Sequence, residues 1–331
     1  MMKLPKKRIA VVATGGTIAG SGQLGKTLEY RAGGIPVSDI ISSIPNIDRL
    51  ADIECIQLFD IDSNEMGPEK WVILSDTLNE ILARRDIDGA VVTHGTDTLD
   101  ETSFFLNLTV DSSKPVVLTG AMRPSTATSP DGPFNLYQAV ALAADSRSRD
   151  NGVMALFSST IYSGRDIEKI NNFKVDAFNH KDFGCLGFMQ DEKVYFFSRV
   201  YKTHTADSIF AGKFHCELPG VAIAYFYAGA SPEILDHLAK DNKGIVIAGT
   251  GSGNYSTEWL DTINRLNASG TVFVRASRVN MGIVFEDPVF DPEGVCIPSN
   301  TLSAQKARVL LMLALTKTDD RYKIKKLFEM Y

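Results

Sequence analysis

Ile9-Ala10-Val11-Val12-Ala13-Thr14-Gly15-Gly16-Thr17-Ile18-Ala19-Gly20 begins as an apolar run of strand length and breaks at two glycines. A short apolar run bounded by glycine reads as a strand buried on both faces, so Arg8 to Ala13 is expected to lie in a parallel sheet. The arrangement recurs where Val92-Thr93-His94-Gly95-Thr96-Asp97-Thr98-Leu99 passes from an apolar run into hydroxyls. Open α/β sheets bind ligands beyond the carboxyl ends of their strands. Both turns therefore put threonine hydroxyls where a ligand would sit, and with an acid and a nearby amine they suggest acyl transfer with threonine as nucleophile.

Outward from these turns, strand-like runs recur at Arg8 to Ala13, Ile53 to Leu58, Gly89 to Thr93, Pro115 to Thr119 and Gly152 to Phe157. Between them, Pro68 to Arg84 carries Trp71, Ile73, Leu74, Leu78, Ile81 and Leu82 at helical spacing, and Asn135 to Ala144 repeats the pattern on a smaller scale. Such alternation predicts parallel βαβ units with helices on both faces of the sheet. Beyond Tyr195 the periodicity loosens through a polar stretch that ends at Pro219, and a second α/β series follows from Val221 to Tyr331. The expected fold is thus two α/β domains: a larger N-terminal parallel-sheet domain over 1–200, a linker over 201–218 and a smaller C-terminal α/β domain over 219–331.

The chain has 331 residues, 44% of them hydrophobic and 22% charged, which suits a globular protein with two cores. Its net charge of -6 offers no basic field for phosphate backbones, so no nucleic-acid partner is expected. Lys6, Lys7 and Arg8 precede an apolar core too short for a secretory signal, and no apolar run approaches the roughly 20 residues of a membrane span. A cytoplasmic protein without a membrane partner is expected. The four cysteines, Cys55, Cys185, Cys216 and Cys296, form no C-x-x-C pair and have no histidine at ligand spacing, so free thiols and no metal are expected.

Each candidate also has a plainer explanation. Thr17 could cap a helix or close a turn, and Thr93, Thr96, Asp97 and Thr98 could satisfy their own backbone. His94 is expected to be a satisfied buried imidazole rather than a general base. Gly20-Ser21-Gly22-Gln23-Leu24-Gly25-Lys26-Thr27 matches the pattern of a phosphate-binding P-loop. Its context is wrong, because the preceding strand ends at Ala13 and no helix start follows Thr27, so it is better taken as a glycine-hinged lid. Neither a dinucleotide-binding G-x-G-x-x-G nor a G-x-S-x-G elbow is present.

Taken together, the two threonine turns resemble the paired signature of the bacterial L-asparaginase and glutaminase-asparaginase family, closest to its type II-like members. Further matches occur in order at Asp62-Ser63, Thr119-Gly120-Ala121-Met122-Arg123-Pro124-Ser125, Asp131-Gly132-Pro133-Phe134-Asn135-Leu136, Gly164-Arg165-Asp166 and Gln305-Lys306-Ala307-Arg308-Val309-Leu310-Leu311. The resemblance implies Thr17 as the nucleophile, Tyr30 as the residue that closes over and activates it, and Thr96 with Lys169 as a second hydroxyl and amine pair. It implies that Ser63 and Asp97 clamp the substrate α-carboxylate and α-amino groups, that the Gly120-Ala121 backbone borders the amide, and that backbone amides near Thr17 and Thr96 stabilise the oxyanion. Asn254 would reach a neighbouring subunit's site. The implied activity is deamidation of L-asparagine to L-aspartate and ammonia through a threonine acyl-enzyme, without metal or organic cofactor, in a homotetramer built from dimers that share active sites.

The chain also departs from that pattern. Asn64 stands where relatives usually have Gln or Glu, which leaves the asparagine to glutamine preference open and keeps a glutaminase-asparaginase as an alternative. The loop from Met281 to Gly294 is one residue short, and Glu286 is the nearest candidate for the acid contributed from a partner. A non-catalytic amino-acid-binding protein would keep Ser63 and Asp97 and could dispense with Thr17, Thr96 and Lys169, yet all three are present.

Overall fold

The computed structural model describes residues 6–27 and 30–331, Tyr30 by its backbone alone, and it divides into two compact units between Phe214 and His215. The division falls within the stretch expected as a linker. Up to Phe214 that stretch packs with the first unit: Phe210 is buried, the Gly212 N–H donates to the Thr109 carbonyl at 3.0 Å, and Phe214 stacks on Phe105 at 5.7 Å.

In chain order the first half of this unit contains β1 (Arg8–Gly15), β2 (Gly20–Gly22), β3 (Tyr30–Gly34), α1 (Val37–Ser43), β4 (Asp52–Ile61), α2 (Pro68–Ala83), β5 (Gly89–Thr93) and α3 (Leu99–Thr109). There follow β6 (Val116–Thr119), α4 (Gly132–Ala144), β7 (Val153–Phe157), β8 (Thr160–Ser163), β9 (Glu168–Lys169), β10 (Phe178–Asn179), β11 (Gly187–Gln190) and β12 (Lys193–Phe196). The main sheet has the order β12-β11-β8-β7-β6-β5-β1-β4. Its five strands β4, β1, β5, β6 and β7 are mutually parallel, and β8, β11 and β12 extend it antiparallel. β1 lies between β4 and β5, with the chain moving outward in opposite directions from it. In a doubly wound sheet this is the switch point, where the loops after adjacent strands part and leave a crevice.

Strand alternation divides the core. Ile9, Val11, Ala13, Val91 and Val117 pack in one cluster with Ile40 and Ile41 of α1 and Leu136, Ala139 and Val140 of α4. Helices α2 and α3 pack against each other and against β5 and β7, with Trp71 stacked on Phe105 at 5.4 Å, so helices cover both faces as expected. Helix α3 was not apparent in the sequence. Ten of its residues from Leu99 to Thr109 are buried, polar ones such as Thr102, Ser103 and Asn107 among them, so its buried positions show no amphipathic period to reveal it.

The second unit contains β13 (Val221–Tyr225), α5 (Glu233–Leu238), β14 (Gly244–Gly249), α6 (Thr257–Ala268), β15 (Val272–Ser277), β16 (Ile297–Pro298), α7 (Ala304–Leu315) and α8 (Arg321–Met330). Its four strands are parallel in the order β13-β14-β15-β16. Leu235, Ile245, Ile247, Trp259, Ile263 and Phe273 form one core, and α7 packs against β13, β14 and β15. Side-chain oxygens of Ser256 and Asp320 cap α6 and α8.

Candidate active site

The turns after β1, β4 and β5 meet around Gly95. Gly16, at φ 80°, lies against the Gly95 backbone so closely that a Cβ on it would collide with Gly95 and with the His94 carbonyl carbon. A Cβ on Gly95 would in turn come within 2.8 Å of the Ser63 side chain. Glycine is required at Gly16 for both reasons, conformation and space. This crossing sets the turn bearing Thr17 directly against the one bearing Thr96, with Ser63 on the far side.

Thr17 starts a short 3-10 turn, Thr17–Ala19, and is buried, as are Ser63 and Thr96. Asp62 caps the turn Ser63–Glu65, its Oδ1 accepting from the Asn64 backbone N–H at 2.9 Å and from the Asn64 side-chain Nδ2 at 2.7 Å. The Ser63 Oγ accepts from the Asp97 N–H at 3.3 Å, and the Thr98 hydroxyl donates to the Ser63 carbonyl at 2.8 Å. These bonds tie the β4 turn to the β5 turn.

Lys169 reaches the same place from β9. Its Nζ donates to the Thr96 Oγ1 at 2.8 Å and to the Asp97 Oδ1 at 2.5 Å. The lysine side chain is 15% exposed while the Asp97 carboxylate is 55% exposed, so the amine is enclosed and the carboxylate faces outward. Pairing of β9 with β10 and an ion pair of 3.0 Å between the buried Glu168 and Lys181 fix the backbone beside it.

The loop after β6 forms another wall. Gly120 and Ala121 are buried, and Asp131 accepts from the Met122 and Arg123 N–H groups at 3.0 and 2.9 Å. Asn135 of α4 donates to the Gly120 carbonyl at 3.0 Å. Gly132 leaves room between Ile18 and Ala121, since a Cβ there would approach them at 2.8 and 3.1 Å. In the segment with the P-loop pattern Gly20–Gly22 form β2, which pairs antiparallel with β3, and no helix starts among its residues. The segment is tied to the same loop by Ser125 Oγ donating to the Gly20 carbonyl at 2.7 Å and by the Gly25 N–H donating to the Thr126 carbonyl at 2.8 Å. The Tyr30 side chain lies outside the described residues.

His94 is fully enclosed, and burial pushes its pKa down to about 4. Its Nδ1 meets the Gly95 carbonyl at 2.6 Å and its Nε2 the Thr102 hydroxyl at 3.0 Å. It is the satisfied imidazole expected from the sequence. Thr102, Trp71 and the crossing at Gly95 were not singled out in the sequence.

Asn254 and Glu286 belong to the second unit. Asn254 closes the turn after β14, its N–H donating to the Thr250 carbonyl at 2.7 Å, and Glu286 pairs with Lys325 of α8 at 2.6 Å. That pairing holds the Glu286 carboxyl below its ordinary range. Arg275 is buried on β15 and donates to the carbonyls of Ser252 and Phe285, which joins the two loops that carry these residues.

An enclosed amine bonded to a hydroxyl and a carboxylate, beside a second buried hydroxyl at a sheet switch point, is suited to acyl transfer from a small zwitterion. Among the described residues no cluster of metal-ligating side chains occurs. Residues 8–202 match the family model described as "Asparaginase, N-terminal", and residues 220–328 match "Glutaminase/Asparaginase C-terminal domain". L-asparaginase 2 of Escherichia coli (strain K12) is 41% identical over 325 residues, 98% of this chain and 93% of that one. The glutaminase-asparaginase of Acinetobacter glutaminasificans is 40% identical over 338 residues, 98% of this chain and 100% of that one. The crystal structure of a probable cytoplasmic L-asparaginase from Campylobacter jejuni superposes with a TM-score of 0.95 at 44% identity, covering 98% of this chain and 100% of that one.

Proposed function

The chain belongs to the asparaginase family, and on that premise we propose that it hydrolyses L-asparagine to L-aspartate and ammonia through a threonine ester. The observation that carries the proposal is the Lys169 amine, bonded at once to the Thr96 hydroxyl and the Asp97 carboxylate. A cation donating to a hydroxyl oxygen polarises it and lowers the cost of charge developing there. Ser63 and Asp97 hold the α-carboxylate and α-ammonium, Asn64 supplements Asp97, and the Gly120-Ala121 backbone borders the side-chain amide. So placed, the amide carbon faces the hydroxyl of Thr17.

The Thr17 oxygen bonds to the amide carbon, the C–N bond breaks, and ammonia leaves with the proton given up by the hydroxyl. Tyr30, carried by the hairpin β2–β3, assists that proton's departure. A water positioned by Thr96 and Lys169 then attacks the ester, the C–O bond to Thr17 breaks, and the proton from water restores the hydroxyl. No cofactor enters these steps. Asn254 and Glu286 act at the site of a neighbouring subunit in a homotetramer built from dimers, and the protein works in the cytoplasm.

Ammonia release measured in parallel with L-asparagine, L-glutamine and D-asparagine tests the activity, and no turnover of any of them would leave an amino-acid-binding protein. Thr17→Ala should still bind L-aspartate while kcat for L-asparagine falls about a thousandfold or more; near-normal turnover would remove Thr17 from its role. L-glutamine is the second substrate to consider, because relatives named glutaminase-asparaginase match equally far along the chain.

A further inference from the structure

Behind the three turns lies a chain of hydrogen bonds that touches no substrate group. The Trp71 Nε1–H of α2 donates to the Thr102 Oγ1 of α3 at 2.8 Å, and the same oxygen lies 3.0 Å from the His94 Nε2. On the other side of the ring, Nδ1 lies 2.6 Å from the Gly95 carbonyl. A carbonyl can only accept, so the proton of a neutral imidazole must sit on Nδ1. Nε2 is then a lone pair that needs a donor, and the Thr102 hydroxyl supplies it while accepting from Trp71. Every donor and acceptor in the chain is matched in one sense only. All three side chains are buried, with relative exposures of 2% for Trp71 and 0% for Thr102 and His94, so no water competes.

The chain ends on Gly95, against which Gly16 packs on one side and Ser63 on the other. We propose that Thr102 is a positioning residue for the hydrolysis: its hydroxyl, donating to Nε2, anchors the His94 ring in the place from which Nδ1–H pins the Gly95 carbonyl, and so holds the point where the Thr17, Ser63 and Thr96 turns meet. The proposal rests on the asparagine-hydrolysing function above. Without the Thr102 hydroxyl, the Nε2 lone pair and the Trp71 N–H both lose their partner in a dry interior, the ring shifts to recover one, and the grip of Nδ1–H on the Gly95 carbonyl loosens. The buttress therefore acts on the reacting geometry through backbone, with no group of its own at the substrate.

The test uses the full chain, with histidine labelled by 15N and the His94 signals identified by their loss in His94→Gln. In the unsubstituted protein Nδ1 should carry the proton and Nε2 should not. Thr102→Val should leave the proton on Nδ1, shift the Nε2 resonance to that of a lone pair without a donor, and lower kcat for L-asparagine about tenfold to a hundredfold, the scale on which small displacements of reacting groups act. Thr102→Ser, which keeps the donor, should restore the Nε2 resonance and bring kcat to within about twofold of the original. The proposal is overturned if the unsubstituted protein carries its proton on Nε2, if Thr102→Val turns over normally, or if Thr102→Ser is as slow as Thr102→Val. Should Thr102→Val not fold, Trp71→Phe carries the kinetic arm: a several-fold lower kcat supports the relay and an unchanged one overturns it. If the unsubstituted protein releases no ammonia from L-asparagine, the proposed function fails, while the tautomer measurement still decides the relay.

Discussion

At the scale of single residues, His94 links the site to the stability of the fold. Burial holds its pKa at about 4 against an ordinary 6.5, so between these values the unfolded chain binds a proton that the folded chain refuses. Stability therefore rises with pH across that window; the contribution is complete above the ordinary pKa and is lost as pH falls through the window toward the folded value. A depression of this size corresponds to about 3 kcal/mol. Urea unfolding of the original chain and of His94→Gln should show a stability difference that shrinks by about that amount from neutral pH to pH near 4. A difference independent of pH would show that His94 is not held neutral. Asn64 offers a second handle, because Asp62 holds its amide nitrogen. Asp62→Ala should cost about 1 kcal/mol through the lost cap and raise KM for L-asparagine as Asn64 is released; an unchanged KM would show that the tether does not matter to substrate. Thr17, Thr96 and Asp97 could be named from the chain because hydroxyls and acids stand out after apolar strands, whereas Ser63 and Lys169 were named only through the family resemblance. The orientation of Asn64 could not, since it follows from a hydrogen bond of the neighbouring aspartate.

At the scale of elements, the decisive contact is between two turns. Gly16→Ala puts a methyl group into the Gly95 backbone at a positive φ, and Gly95→Ala drives one toward Ser63. Both should lower kcat about a hundredfold or more, because the hydroxyls are carried by the segments forced apart. Ammonia release by the two variants, with folding checked by circular dichroism, measures this, and a fully active Gly95→Ala would mean the turns can separate without harm. The strands β1, β5, β6 and β7 were legible because each is buried on both faces and reads as a continuous apolar run. The edge strand β4 runs on to Ile61, beyond the expected end at Leu58, because none of its residues is fully buried and the exposed Asp60 interrupts the apolar run. The strands β8 to β12 were not anticipated. They are short, and β11 alternates buried with exposed residues around a glycine, which leaves little periodic signal.

At the scale of the whole molecule, the order of the five parallel strands accounts for where the chemistry sits. The turns after β1 and β5 flank the switch point, so Thr17 and Thr96 are adjacent in space although 79 positions apart in sequence. The division into two units was visible in the loosening of pattern after Tyr195. That the polar stretch packs with the first unit as far as Phe214 was not, because that packing depends on a few anchors, Phe210 and Phe214 among them. If Asn254 serves a neighbouring subunit, Thr17→Ala and Asn254→Ala chains, mixed by unfolding and refolding together, should regain activity that neither has alone. Random pairing in dimers would restore about a quarter of the sites. Sedimentation of the mixture checks assembly, and absence of any regain would place Asn254 within its own subunit's site or outside it. The crossing of Gly16 on Gly95 also bears on how this protein can be altered. Backbone rests there on backbone with no side chain between to absorb a change, so variation in the two turns is coupled. Libraries that randomise residues 14–20 and 92–98 separately should be poor in active clones, and altered substrate choice will come sooner from paired changes selected as one segment.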